Sequence, residues 1–155
     1  MSNPIVEQIA VKLEEAINAI TEANGFNYDL TAVRPKRIHL EGDLNTDRTV
    51  IIEQESAALH QRTGQTISWL QAFTLQALVI DSDTTTEAID TRLNKIRADI
   101  EKQLTSSSYE TLGGLAEGIL LKAPEKFIAE PRLSGIAVNI DVLYTTDSDD
   151  PYAQA

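Results

Sequence analysis

Residues 136–144 read IAVNIDVLY and alternate without a break. Ile136, Val138, Ile140, Val142 and Tyr144 share one face, and Ala137, Asn139, Asp141 and Leu143 share the other. Period-two alternation of this kind marks a strand buried on one side, so the segment predicts a sheet closing on its core. It runs directly into the acidic, proline-terminated stretch TTDSDDPY at 145–152, a segment suited to meeting neighbours rather than enclosing a substrate.

Working back along the chain, 65–80 is the longest extended candidate. Ile67, Trp69, Phe73, Leu75, Ala77 and Val79 fall on one face, with Gln71 the only polar interruption. Shorter strands are predicted at 26–33, 49–54 and 117–123, and 57–62 reads equally as edge strand or loop. Polar loops are expected at 41–48 and between Pro124 and Pro131.

Two helices complete the pattern. In the first, Asn3 is placed to cap, Pro4 suits the first helical position and Gly25 suits a left-handed end. Between them Val6, Ile9, Ala10, Leu13, Ile17 and Ile20 form one apolar stripe. In the second, Thr84-Thr85-Thr86-Glu87 has capping-box form, and Ile89, Leu93, Ile96, Ile100 and Leu104 mark a core-facing stripe to about residue 105. The pair Gly113-Gly114 predicts a turn needing positive φ. The order helix, strands, helix, strands predicts an α+β fold: a mostly antiparallel sheet with two amphipathic helices packed on one face. We expect one domain over 1–146 and an acidic, flexible C-terminal tail over 147–155.

Composition bounds the chemistry. The chain has 155 residues, 42% of them hydrophobic, enough for one buried core. It has no cysteine, which removes disulfides, thiolate ligands and a cysteine nucleophile and is compatible with a reducing compartment. Neither a signal peptide nor a membrane span is expected from the N-terminal residues. The formal net charge of −11 lacks the basic footprint that duplex nucleic-acid binding requires. His39 and His60 have no metal-ligand spacing, no nucleophile elbow surrounds a serine, and no phosphate-binding glycine motif occurs. The clusters Asp81-Ser82-Asp83 and Asp147-Ser148-Asp149-Asp150 offer oxygen ligands but do not continue into a calcium loop. No catalytic residue, metal ligand or cofactor is therefore assigned.

Several segments together resemble a known family. They are the N-terminal helix running into Gly25-Phe26, the Val33-Arg34 strand end and Thr49-Val50-Ile51-Ile52-Glu53. In the second half they are Ile96-Arg97-Ala98-Asp99-Ile100-Glu101, Leu112-Gly113-Gly114-Leu115-Ala116, and Val142-Leu143-Tyr144 followed by Asp150-Pro151. In order and spacing this set resembles the tail terminator proteins of long-tailed bacteriophages, also called tail-completion, minor tail or tail-to-head joining proteins. The resemblance implies a non-enzymatic structural subunit that forms a homo-hexameric ring. Such a ring caps the tail tube, ends its polymerisation and offers the docking surface for the head. The implied partners are the tail tube protein and a head-completion or connector protein, with DNA passing through unbound and no membrane involved. The implied location is the head-proximal end of the virion tail, assembled in the host cytoplasm. Another virion ring or tube protein, a metal-dependent enzyme and a cellular binding module are the alternatives.

Loops are the candidate contact surfaces. They are Glu41, Asp43, Asp47 and Arg48 in the 41–48 loop, Phe127 and Ile128 in the 122–132 segment, and Asp147, Asp149 and Asp150 in the tail. Arg34, Lys36 and Arg37 form the one local basic cluster and are candidates to pair across a subunit boundary with acids such as Asp149.

Overall fold

In a computed structural model the described residues are 3–35, 47–80, 87–130 and 133–155, with the side chains of 128–130 also left aside. Helix α1 spans Ile5–Asn18, followed by a 3-10 turn at Glu22–Asn24 and the short strand β1 at Thr31–Val33. Strands β2 (Thr49–Thr63) and β3 (Thr66–Ile80) form a long hairpin, and helix α2 spans Ile89–Leu104. Strands β4 (Gly118–Leu121), β5 (Glu125–Glu130), β6 (Leu133–Asp147) and β7 (Asp150–Gln154) complete a seven-stranded sheet. Every pairing is antiparallel except β1 with β2.

The two alternating segments pair with one another and dominate the sheet. β3 and β6 pair without a register shift from Thr66↔Asp147 to Ile80↔Leu133. Their inward residues are the ones the alternation selects: Phe73, Leu75, Ala77 and Val79 from β3, and Ile136, Val138, Ile140, Val142 and Tyr144 from β6. The same core holds Ile9, Leu13 and Ile17 of α1 and Leu93, Ile96, Ile100 and Leu104 of α2. A smaller cluster of Ile51, Leu78 and Leu133 lies apart from it, with the Phe127 ring packed against it.

Several boundaries differ from the sequence reading, each for a local reason. α1 ends at Asn18, and Gly25 (φ 90°) closes the 3-10 turn instead. Thr21 is extended and its hydroxyl accepts from the Asn24 amide at 3.2 Å, so the chain leaves the helix early. Pro4 occupies the cap position of α1, with no side-chain cap. Only 31–33 of the strand expected at 26–33 forms, because the amides of Asn27 and Tyr28 donate to the Asp99 carboxylate of α2 instead of to a strand. α2 starts at Ile89 with Ala88 in the cap position; residues 84–86 of the expected capping box lie outside the described residues.

The region 57–62, ambiguous in sequence, belongs to β2, which continues to Thr63 rather than stopping near 54. Its pairing carries bulges between Gln54 and Ala57 and between Leu59 and Gln61. Gln71, the polar interruption of β3, is buried and donates to the carbonyl of Glu55 at 2.7 Å, inside the first bulge. A bulge frees a backbone acceptor, and this amide supplies its donor. The segment between the two prolines is β5 rather than a loop, paired along β6 from Glu125↔Ala137 to Glu130↔Leu133. The stretch expected as a tail carries β7, which folds back on the end of β6. The turn at Leu112-Gly113-Gly114 takes positive φ at all three residues, 48°, 71° and 86°.

β6 thus has β3 along one edge and three short strands in file along the other: β5, then β4, then β7. The interval between β4 and β5 is also bonded, with the Lys122 amide donating to the Asn139 carbonyl (2.9 Å) and Asn139 Nδ2 donating to the Ala123 carbonyl (3.2 Å). Residues 118–130 therefore act as one interrupted edge strand.

Candidate assembly surfaces

Length decides what the helices can cover. A strand of 15 residues spans about 50 Å, whereas helices of 14 and 16 residues span about 21 and 24 Å. The β2–β3 hairpin accordingly outruns the helical layer. Its distal half is exposed throughout β2 from Gln54 to Thr63, and Leu59 is 57% exposed. Trp69, opposite Leu59 in the ladder and opposite Tyr144 on its other side, marks where the core ends and the projecting arm begins.

The arm's tip carries the acidic turn. Ser148 donates from its amide to the Gln65 carbonyl at 2.8 Å, so Asp147, Asp149 and Asp150, in and beside the β6–β7 turn, lie next to the hairpin turn at 63–66. Asp149 is exposed, and Asp150 Oδ1 accepts from the Tyr152 amide at 3.0 Å. Gln154 donates to the carbonyl of Gly114, tying β7 to the glycine turn. Among the described residues no group of three or more histidines and carboxylates is placed to hold a metal ion.

The opposite end of the sheet gathers different residues. Asp47 accepts from the Ile80 amide at 2.9 Å and lies 3.6 Å from Arg92. Arg48 (φ 60°) stacks its guanidinium 4.8 Å from the Tyr28 ring centre, a cation–π contact. Its Nε and the Tyr28 hydroxyl are buried without hydrogen-bond partners. Asp47 and Arg48 are both engaged within the subunit. Lys36, Arg37, Glu41, Asp43 and His39 lie outside the described residues.

Arg34 makes a two-pronged ion pair with Glu7 of α1, with N–O distances of 2.8 and 3.0 Å. The hydrogen bonds from the guanidinium hold the Glu7 carboxyl below its usual range, and the same contact raises Arg34. Both terminal nitrogens of Arg34 are thus engaged by α1 within the subunit. Lys95 is raised by its hydrogen bond to Glu87, and burial raises the Tyr144 hydroxyl. Phe127, read as an exposed apolar contact, is half-buried, its ring lying over Gly135. Ile128 is in β5 opposite Ser134.

A cleft of about 390 Å³ opens between the end of α2 and β4, lined by Leu104, Thr105, Glu110, Thr111, Glu117, Gly118 and Ile119. The Glu117 carboxylate accepts from the Thr145 hydroxyl, so one of the cleft's two acids is already occupied in bracing the sheet. Sequence reasoning missed the exposed distal half of β2. The signal was present in 54–63, where residues polar on both faces describe a strand with no layer on either side.

No family model matches this chain, and no curated protein matches it either. No helix among the described residues is long and apolar enough to cross a membrane.

Proposed function

We propose that this chain is a structural ring subunit of a long-tailed bacteriophage, acting as a tail terminator. The observation that carries the proposal is the exposed β2–β3 arm, which projects beyond the helices and bears an acidic turn at its tip. An arm uncovered within its own subunit is a natural contact for the next one, and head-to-tail contacts close into rings when the rotation permits. In this reading the two amphipathic helices packed on one face of the sheet form the subunit's scaffold, and the sheet with its arm forms the ring contacts. Six copies would multiply a formal charge of −11 sixfold, so an acidic lumen would repel passing DNA and keep it from adhering. The tube and the head-completion protein would then meet opposite ends of the ring.

An arm that engages its neighbour also suits a tail tube subunit, and assembly length separates the two. Electron microscopy and mass measurement of the purified protein, alone and with assembled tail tubes, test the reading. A terminator gives closed rings and capped tube ends, a tube subunit gives long filaments, and a monomer that never binds tube ends refutes both. Replacing Asp147, Asp149 and Asp150 together by Asn should leave the fold intact and capping ability measurable. A folded triple variant that instead loses an enzymatic activity of the parent would overturn the structural reading.

A further inference from the structure

With a formal net charge of −11, copies of this chain repel one another, and a cation left without a partner marks a place where they can touch. Among the described residues Arg62 is the one lysine or arginine whose side chain has no hydrogen bond, ion pair or ring contact. The others are held within the subunit, each beside a carboxylate except Lys102, which donates to the Gly25 carbonyl and lies over the Phe26 ring. Arg62 is exposed near the end of the β2–β3 arm, and its place in the ladder accounts for its isolation. It lies opposite Ile67, which lies opposite the buried Thr146, so it is on the helix side of the sheet. Ile67 is two residues, about 7 Å, beyond Trp69, where the core has already ended. Asp147, opposite Thr66, is on the other face.

The cleft between the end of α2 and β4 is the converse, lined by Glu110 and Glu117 and by no basic residue. Glu110 is exposed, and its carboxylate has no partner among the described residues. Glu117 gives one oxygen to the Thr145 hydroxyl and keeps the other. Leu104 and Ile119 supply an apolar wall beside the two acids, and about 390 Å³ leaves room for a long side chain. This combination suits arginine, whose stem lies along apolar surface while its flat guanidinium forks onto carboxylates. Arm and cleft sit toward opposite margins of the sheet, because the strand order runs β1-β2-β3-β6-β4. A contact between them is therefore head-to-tail, and each added copy leaves one arm and one cleft for the next.

We infer that Arg62 of one copy enters the Glu110–Glu117 cleft of a second copy of this chain. The inference deepens the ring reading and rests on it for closure of the repeated contact into a ring. A cation on the arm and acids in the cleft make this contact attractive where the rest of two such surfaces repels.

Charge reversal tests it. Arg62→Glu and Glu110→Arg are made separately in the full chain, and both positions are exposed, so native circular dichroism should survive. Assembly is followed by mass measurement over a range of protein concentrations, in solution and on tail tube ends. Each reversal alone should raise the concentration for half-assembly at least about tenfold, since an attraction is lost and a repulsion gained. An equimolar mixture of the two variants should recover most of that loss, because in an alternating assembly the reversed arm meets the reversed cleft and the native arm meets the native cleft. Unchanged assembly in either folded variant, or a loss that mixing fails to rescue, would overturn the inference. A loss in Arg62→Glu alone would also place its partner on the tube rather than on a second copy. A wild-type chain that neither self-associates nor binds tube ends would overturn both readings. Rescue by mixing in a protein that does not cap tube ends sustains the contact and sinks the terminator reading, whereas capping that survives both reversals does the opposite.

Discussion

Replacing Asp99 should be among the most damaging single changes in this chain, although the residue looks like a surface acid on a helix. Its side chain is 2% exposed, and its two oxygens accept from the Asn27 amide (3.1 and 3.0 Å), Asn27 Nδ2 (2.9 Å) and the Tyr28 amide (3.2 Å). In Asp99→Ala the buried Tyr28 amide loses its acceptor, at about 1–3 kcal/mol, while the donors of exposed Asn27 can turn to water, at about 0.5–1 kcal/mol each. The total is about 3 kcal/mol, against an overall stability of roughly 5–15 kcal/mol for a domain. Asp99→Asn keeps one acceptor oxygen but loses the charge and turns an NH2 group toward donors, so about 2 kcal/mol is expected. Urea unfolding followed through the single tryptophan, Trp69, measures both. With a slope of about 2 kcal/mol/M, the alanine variant should lower the midpoint by about 1.5 M without changing the slope. Amide exchange at Asn27 and Tyr28 should accelerate as well. A midpoint shift of the alanine variant below about 0.5 M, or protected amides at both positions, would refute this account of how the 26–30 segment is held.

Three further outcomes follow from the same structure. The Glu7 carboxyl is held low by Arg34, so the pair's contribution is present above the ordinary carboxylate pKa of about 4.3 and is lost as pH falls through Glu7's lower folded value; Glu7→Gln should flatten that part of the pH–stability curve. With side chains 38% and 31% exposed, solvent screening limits the effect to about 1 kcal/mol or less, measured by thermal melts from pH 3 to 7 at low salt. Gly135→Ala would put a methyl group into the Phe127 ring and force it off Ile51, Leu78 and Leu133, lowering stability by about 1–3 kcal/mol; combined with Phe127→Ala the cost should be clearly less than additive in a double-mutant cycle. Gln71→Leu removes the donor to the Glu55 carbonyl and should cost about 1 kcal/mol, with faster amide exchange near the bulge at 54–57 and unchanged exchange in β6.

Where one face of an element is buried and the other wet, the residues announced it. The alternation of 136–144 and 65–80 located the central strand pair and its inward side chains, and the two apolar stripes located both helices. Where neither face is covered, periodicity has nothing to record, so the distal half of β2 was ambiguous; β5, short and bracketed by prolines, read as a loop. Side chains that replace backbone pairing were the other blind spot. Asp99 draws 27–28 out of the sheet, and Gln71 reads as a flaw until the bulge opposite is known. Asp99 still left a trace, because it sits with Ile96, Ile100 and Gln103 on the buried face of α2, where an acid requires donors. Of the candidate contact residues, Arg34 pairs with Glu7 within the subunit and the Phe127 ring lies over Gly135, neighbours that no spacing in the sequence marks.

The three-part edge of β6 has a consequence for how the chain folds. This strand pairs with β3, β4, β5 and β7, yet it follows all of them but β7 in the chain. Until residues 133–147 arrive, β3 has an empty edge of fifteen positions and the inward faces of both helices lack half their cover. Contacts this distant in sequence fold slowly and leave sticky intermediates. Among the described strands the 118–130 edge pairs with β6, so it can take its place in the sheet only once residues 133–147 are in position.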